Sequence, residues 1–481
     1  MVFSDLFFLF VFLPAFILLY SASAWIDRRR AHDDRPGFAF RNITLVVFSL
    51  LFYSWGEPVY VFLMIVTVLL NYLAGLLLAR SRSRGGRKAA LIVGLVCNLA
   101  ILCSFKYLGF FAGILVDVGI PVTVPQVALP IGISFYIFQS ISYLVDVYRE
   151  DSPVQKRYVD LLLYISMFPQ LIAGPIVRYG TVAEEINSRH VTASDLYDGT
   201  FRFLIGLGKK VILANQLGEI ATQFLGGDLQ GLSTAGAWIG ILAFTFQIYF
   251  DFSGYSDMAI GIGRCLGFHF NENFNHPYVS RTATEFWRRW HMSLGSFFRD
   301  YVYIPLGGNR THQWFNILVV WMLTGLWHGA SWNFVIWGLY FGLIIAVEKF
   351  TVVKWQKWIP RPLLHIYCLF LVIVGWGIFY FDSVESLRLF FTVMFGGAAN
   401  LTDFTVESCL FDNFWLWISA ILFCMPVREM TESLSARIIP GQSAGTVAVS
   451  LSRMVVAVTI LLLSVTMLIG ATNNAFLYTR F

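Results

Sequence analysis

Three groups of polar residues interrupt an otherwise apolar chain, and the first is centred on a histidine. His328 follows Trp327 and lies between Gly325 and Gly329. A neutral imidazole can take a proton from a hydroxyl, because the pKa of a free histidine side chain is about 6.5. The two glycines, four positions apart, let another backbone or a ligand approach a helix closely. The motif predicts a general base, and the structural alternative is a histidine satisfied by a neighbouring group.

The second group is a pair of aspartates, Asp251 and Asp257, within a long apolar segment. Carboxylates at membrane depth are costly, and by default they mark function. On a helix, Asp251 would face Tyr255 and Ser253 would face Asp257, so local hydrogen bonds could satisfy both carboxylates. We interpret Asp251, Tyr255 and Asp257 either as substrate contacts or as a polar staple that holds helices in register.

The third group is a basic and aromatic segment that runs through residues 285–310. Its aromatic residues recur at helical spacing, which predicts a helix at the membrane interface or packed beneath the membrane domain. Guanidinium groups beside aromatic rings can hold the phosphates of an acyl donor or a carrier-protein face. The alternative is a basic helix that rests on anionic headgroups. The candidate binding residues are Arg288, Arg289, Arg299 and Arg310, and the segment also contains His291.

Together these residues suit acyl transfer from a thioester to a hydroxyl. That reaction needs a base and hydrogen-bond donors for the tetrahedral oxyanion. His328 is the predicted base, and the predicted donors are Asn333, Tyr255, Trp327 and His291. The sequence contains no GxxxxGK[ST], HExxH or CxxC pattern. We predict neither a serine nucleophile nor a metal site. Direct attack by the acceptor hydroxyl is the favoured route.

Composition decides the class of protein that carries these groups. Of 481 residues, 57% are hydrophobic and only 13% charged, whereas soluble domains carry about 25% charged residues. A water-soluble enzyme and a disordered chain are therefore excluded. The net charge of +5 is small and scattered, which argues against nucleic-acid binding. The chain is predicted to be a polytopic membrane protein.

Apolar runs long enough to cross a bilayer recur along the chain. The predicted spans are 6–25, 58–79, 89–115, 127–147, 158–177, 238–262, 363–381 and 454–473, and 315–347 is either two elements or one tilted helix. Five positive charges between Arg80 and Lys88, without an acid, place that loop in the cytoplasm. The first span lacks a preceding basic region, so we expect an uncleaved helix with its N-terminus outside.

Several motifs occur in one order over nearly the whole chain, and with them the sequence resembles the membrane-bound O-acyltransferase superfamily, in particular its alginate-acetylating members. The resemblance implies an all-α, polytopic, ring-like helical bundle of about ten to twelve membrane elements around a central funnel, with re-entrant and interfacial helices. We expect one domain over residues 1–481, with 268–314 as an intracellular or interfacial segment. The motifs are residues 129–138, 142–149, 171–178, 249–257, 287–310 and 327–329.

The resemblance also implies an activity. His328 would be catalytic and His291 a second important residue. Acetyl groups would pass from a cytoplasmic thioester, acetyl-CoA or an acyl carrier, across the bacterial inner membrane toward an alginate-like exopolysaccharide. No cofactor is expected to stay bound. The implied partners are membrane lipid, periplasmic SGNH-type acetyltransferases and a polysaccharide secretion complex.

Alternatives within the superfamily are O-acetylation of peptidoglycan or cellulose and D-alanylation of teichoic acid. A proton-coupled transporter, a different class of protein, would also explain buried aspartates and histidines. However, the sequence lacks the repeats and paired broken helices that are typical of transporters.

Overall fold

The computed structural model describes residues 1–30, 37–125, 127–351, 356–427, 442–471 and 476–477. Within these ranges the secondary structure is helical, without a strand. The chain packs into two compact units. The first unit comprises Met1–Phe203 and Tyr255–Asn271, and the second comprises Leu204–Gly254 and Glu272–Leu477. A single domain over residues 1–481 stays a prediction.

Seven helices among the described residues are long and apolar enough to cross a membrane, and a bent pair, Phe404–Asp412 and Phe414–Phe423, makes an eighth candidate. These spans could be predicted from hydropathy, because the thickness of the bilayer sets the length of the apolar run that crosses it. The predicted all-α, polytopic class is therefore confirmed. Residues 472–473 of the predicted last span lie outside the described residues. The seven helices are Phe8–Arg30, Tyr60–Arg80, Arg84–Asp117, Thr234–Cys265, Trp332–Phe350, Arg361–Tyr380 and Ser450–Ile469.

Shorter helices connect these spans, and the predicted span 158–177 is one place where the structure differs. There the helix Tyr158–Ser166 ends early, and the four-residue turn Phe168–Leu171 follows it, with Pro169 at its start. The other shorter helices are Ala39–Ser54, Ile133–Arg149, Tyr179–Val182, Ala193–Gly208, Lys209–Ala214, Asn215–Leu225, Leu229–Gly231, Pro277–Val279, Ala283–Arg289, Met292–Phe298, Arg299–Tyr303, Gln313–His328, Val384–Thr392 and Val393–Gly397.

The basic and aromatic segment of the second unit is not one continuous helix, and that expectation was wrong. Ala283–Arg289 and Met292–Phe298 are separate short helices. His291 lies between them in the left-handed region with φ 44°, which an α-helix cannot contain. Thr282 caps the first helix, because its side chain accepts a hydrogen bond from the backbone N–H of Glu285.

The predicted element 315–347 is a hairpin of two helices, Gln313–His328 and Trp332–Phe350, which we call the histidine hairpin. His328 is the last residue of its first helix, and Gly329 continues in extended conformation. A Cβ added at Gly325 or Gly329 would overlap Phe334 of the second helix. Gly325 therefore admits the backbone of the second helix, which was the first of the two predicted reasons for the spacing, whereas Gly329 admits the ring of Phe334.

Candidate active site

The second unit brings the two motif histidines together around one tryptophan. The ring centroid of Trp327 lies 4.9 Å from that of His328 and 5.5 Å from that of His291. Both histidines are buried, with 5% and 2% of their surface exposed. The sequence predicted each histidine separately, whereas only the tertiary packing of the hairpin against the segment after Trp290 makes them neighbours.

Aromatic rings enclose this pair. Trp337 and Phe379 meet the ring of His328 edge to face at centroid distances of 5.0 and 5.2 Å. Phe252 contacts the ring of His291 at 4.7 Å. Such an enclosure excludes water, so a charge that develops inside it interacts strongly with nearby dipoles.

The tautomer of His291 follows from its hydrogen bonds. The Asn273 side-chain oxygen accepts from the backbone N–H of Ser293 at 3.2 Å and from its hydroxyl at 2.8 Å. Because a backbone N–H can only donate, the Asn273 atom facing it must be Oδ1. His291 Nδ1 lies 3.1 Å from the same oxygen and therefore carries the proton, which leaves a lone pair on Nε2. Burial lowers the pKa of His291 to about 3, so its imidazole is neutral at physiological pH.

A buried carboxylate positions the helix that leads to His291, and sequence reasoning missed it. Glu348 is fully buried on the second helix of the histidine hairpin. Its oxygens accept from the backbone N–H groups of Ala283 and Thr284 and from the Thr284 hydroxyl, each at 2.7 Å. Glu348 thus satisfies N–H groups at the start of Ala283–Arg289, which have no partner within their own helix. The sequence signal that could have revealed Glu348 is its position as an acidic residue near the end of an apolar span.

Two neighbouring indole N–H groups, one of them on the ring that contacts His328, have no hydrogen-bond partner among the described residues. They are Nε1 of Trp337, whose side chain is fully buried, and Nε1 of Trp287. The two rings lie 5.3 Å apart. The predicted donor Asn333 is different, because its Nδ2 donates to the Phe379 carbonyl at 3.4 Å and its Oδ1 accepts from Ser331.

The predicted arginines fall into two classes. Arg289 pairs with Glu285 at 3.1 Å, and Arg299 pairs with the adjacent Asp300 at 2.6 Å. Arg288 and Arg310 are exposed, and among the described residues their guanidinium groups have no ion pair. Arg288 and Arg310 are therefore open to an added anion, whereas Arg289 and Arg299 are engaged by neighbouring acids.

The two predicted aspartates form ion pairs with basic residues that are distant in sequence, and not hydrogen bonds with neighbours on their own helix. Asp251 binds Lys210 at 2.6 Å, and both side chains are only 3% exposed. Asp257 binds Arg202 within the first unit at 2.9 Å. The predicted local pairing was wrong, because Ser253 Oγ has no hydrogen-bond partner among the described residues and the described partners of Asp251 are Lys210 and the backbone N–H of Leu477.

Tyr255 lies in the first unit, where its ring stacks on Phe3 at 4.7 Å.

The unpredicted cation Lys210 did leave a signal in the sequence. Two adjacent lysines, Lys209 and Lys210, interrupt an apolar run, and such a charge needs a partner. Among the described residues, no group of three or more His, Cys, Asp or Glu side chains is arranged to hold a metal ion.

Comparison with known proteins places both histidines inside a matched region. Residues 133–391, more than half of the chain, match the model of MBOAT, the membrane-bound O-acyltransferase family. The chain is 41% identical over 413 residues to a probable alginate O-acetylase AlgI of Azotobacter vinelandii, which covers 84% of this chain and 80% of that protein.

Two further relatives act on other polymers by their names. A peptidoglycan O-acetyltransferase of Helicobacter pylori is 33% identical over 79% of this chain and 77% of its own length. A teichoic acid D-alanyltransferase of Bacillus subtilis is 30% identical over 48% of this chain and 62% of its own length.

Proposed function

The chain belongs to the membrane-bound O-acyltransferase family, and from this premise we propose that it moves acetyl groups from a cytoplasmic thioester across the bacterial inner membrane for O-acetylation of an alginate-like exopolysaccharide. The coarser statement, a multi-pass membrane O-acyltransferase, rests on the family and on the apolar spans. The choice of an exopolysaccharide is supported by about 40% identity to several alginate O-acetylases.

The observation that carries the proposed mechanism is the enclosed pair of histidines around Trp327. We assign His328 as the general base, which removes the proton of the acceptor hydroxyl while its oxygen attacks the thioester carbonyl. The tetrahedral oxyanion then collapses, the C–S bond breaks, and the imidazolium returns its proton to the leaving thiolate. The products are an ester and a free thiol, so no acyl-enzyme is required.

His291 has a second role in this proposal. Its neutral ring, oriented by Asn273, presents Nε2 as an acceptor that can orient the hydroxyl or thiol proton. His291 therefore positions a proton in this proposal, and the base is His328.

We assign the oxyanion donor to Trp337 in place of Asn333. The ring of Trp337 lies 5.0 Å from that of His328, and its buried indole N–H has no hydrogen-bond partner among the described residues. A donor held ready in a dry site stabilises charge at no reorganisation cost when the charge develops. Trp327 packs against both histidines. Asn333 donates a hydrogen bond to the carbonyl of Phe379, a residue of the aromatic enclosure.

Replacing Trp337 by phenylalanine should lower the maximal acetyl-transfer rate by about 10²–10³-fold, because the ring remains but the N–H is lost. Trp321→Phe is the matched control, since Trp321 belongs to the same aromatic cluster at 6.1 Å from Trp337. The measurement is the rate at saturating donor, with membrane abundance in parallel. Equal rates for both variants would remove Trp337 from the site.

For the donor's phosphates we propose Arg288 and Arg310, because the guanidinium groups of Arg289 and Arg299 are engaged by acids. Asp251 and Asp257 act through structure in this proposal, since both are held in ion pairs. The periplasmic SGNH-type partners and the secretion complex are proposed from the family resemblance.

The overall proposal is tested with inverted membrane vesicles from a deletion strain that carries the gene on a plasmid. External acetyl-CoA with a labelled acetyl group should deliver label to hydroxyl groups of lumenal polysaccharide only when the protein is present. Transfer of labelled D-alanine from a carrier thioester would support the teichoic-acid alternative, and acetylated lumenal peptidoglycan would support the other. Proton uptake without acyl transfer would identify a transporter and overturn the proposal.

A further inference from the structure

A groove in the first unit lies between two successive candidate spans, the helix Tyr60–Arg80 and the helix Arg84–Leu102. It encloses about 410 Å³. Its lining residues are distant in sequence from the residues used in the proposed chemistry. Its walls include Leu73, Leu77 and Val93, each an exposed apolar side chain on a candidate membrane span. The groove therefore opens toward the lipid.

Small side chains create the hollow, and the floor is closed to polar ligands. The small residues Ala74, Ala90 and Gly94 line it, and at Gly94 an added Cβ would meet Leu144 Cδ1 at 2.6 Å. At the floor, Asn71 and Asn98 exchange two side-chain hydrogen bonds of 3.0 and 2.7 Å, so each amide is satisfied by the other. What remains is an apolar surface, which fits a hydrocarbon chain.

The groove is long enough for an acyl chain of one leaflet. Its lining runs along one helix from Gly86 to Ile101, which corresponds to about 22 Å at roughly 1.5 Å per residue. One leaflet contributes about 15 Å, half of a hydrocarbon core of about 30 Å. A chain that enters beside Gly86 can therefore lie within the groove over its whole length.

The mouth of the groove is strongly basic. Ser81 and Gly86 line it, and the exposed Arg80, Arg82 and Arg84 flank these two residues in the loop. Within the described part of the chain, these three arginines have no ion pair, and the segment from Arg80 to Lys88 contains no acid. Arg87 differs from them, because among the described residues it pairs with Glu150 and donates to the Tyr148 carbonyl.

We propose that this groove binds one anionic phospholipid of the cytoplasmic leaflet, with an acyl chain between the two helices and the phosphate on Arg82 and Arg84. Clustered basic residues at the cytoplasmic end of a span attract anionic headgroups. An adjacent groove turns that attraction into a defined site. A cluster that only orients the protein would need the charges but not the groove, and the two roles are thereby separable.

The test uses the full chain, purified and stripped of lipid in a neutral detergent. Phosphatidylglycerol is added, and native mass spectrometry counts bound lipids while a thermal scan records the unfolding temperature. We expect one tightly retained phosphatidylglycerol and a raised unfolding temperature. Phosphatidylcholine with the same chains should bind at least tenfold more weakly, and glycerol 3-phosphate should not bind. Equal retention of the two phospholipids would overturn the proposal.

Two variants then separate the charges from the groove. Arg82→Ala with Arg84→Ala, and separately Ala90→Leu, should each weaken binding of phosphatidylglycerol by about tenfold or more. The matched controls are Arg28→Ala with Arg29→Ala, on another exposed basic cluster, and Ala100→Leu, on the same helix outside the groove. Binding unchanged by Ala90→Leu would show that the charges act without a site and would refute the groove.

Discussion

Replacement of His328 by glutamine is expected to slow acetyl transfer by about 10²–10⁴-fold while the protein still accumulates in the membrane. The side chain is enclosed by Trp337 and Phe379, and glutamine can occupy much of the same space. A neutral amide keeps hydrogen bonding, but at neutral pH it cannot accept the proton of the attacking hydroxyl. The loss should therefore appear in the maximal rate more than in the apparent affinity for the donor.

The measurement is the acetyl content of the polymer in a deletion strain complemented with each variant, together with membrane abundance. His365→Gln is the matched control, because His365 belongs to the same unit but its Nδ1 donates to the Ser280 carbonyl, outside the enclosure. Near-normal acetylation would leave His328 as an orienting residue only.

The membrane class and most spans were predictable from sequence because each depends on local quantities. Bilayer thickness fixes the length of an apolar run, so Tyr60–Arg80 and Arg361–Tyr380 lie within two residues of the predicted bounds. The end of a helix at Ser166 depends on tertiary packing and was missed. The bundle shape and the full count of membrane elements stay predictions.

The break at His291 shows why periodicity misled. Aromatic residues on both sides of it continue one helical spacing, because each of the two segments carries aromatic residues four positions apart that contact each other. Phe286 and Trp290 stack at 5.5 Å, and Phe297 contacts Tyr301 at 4.8 Å. Histidine is enriched among the non-glycine residues that adopt positive φ, but the signal is weak. The turn is fixed by Asn273, whose carbonyl accepts from the backbone N–H of Met292 at 2.9 Å.

The candidate site was predicted to the extent that single residue types reveal chemistry. His328 and His291 are visible as ionisable groups in apolar surroundings, whereas Trp337 is one of 15 tryptophans. Nothing in its local sequence distinguishes it. Its proposed role depends on an indole N–H that has no hydrogen-bond partner among the described residues, and such a property exists only in three dimensions.

Breaking the buried ion pair between Lys210 and Asp251 should be the largest effect on stability. Lys210→Met or Asp251→Leu alone should lower the free energy of unfolding by about 3–5 kcal/mol, because each leaves the opposite charge buried and uncompensated. The surroundings strengthen this expectation, since the Phe476 ring covers the Lys210 ammonium at 4.6 Å and the backbone N–H of Leu477 donates to Asp251 at 2.8 Å.

The double variant Lys210→Met with Asp251→Leu should recover most of that loss, since two apolar side chains of similar size leave no buried charge. The pair Arg202 and Asp257 is the control, because its side chains are 28% and 16% exposed and water can solvate a remaining charge. Its single variants should cost no more than about 1 kcal/mol. Denaturant unfolding in detergent measures all five variants, and membrane abundance reports any that fail to fold. Losses in the double variant that equal the sum of the two single losses would show that the pair does not act as a unit, and Asp251 would then be restored as a candidate for direct contact with the substrate.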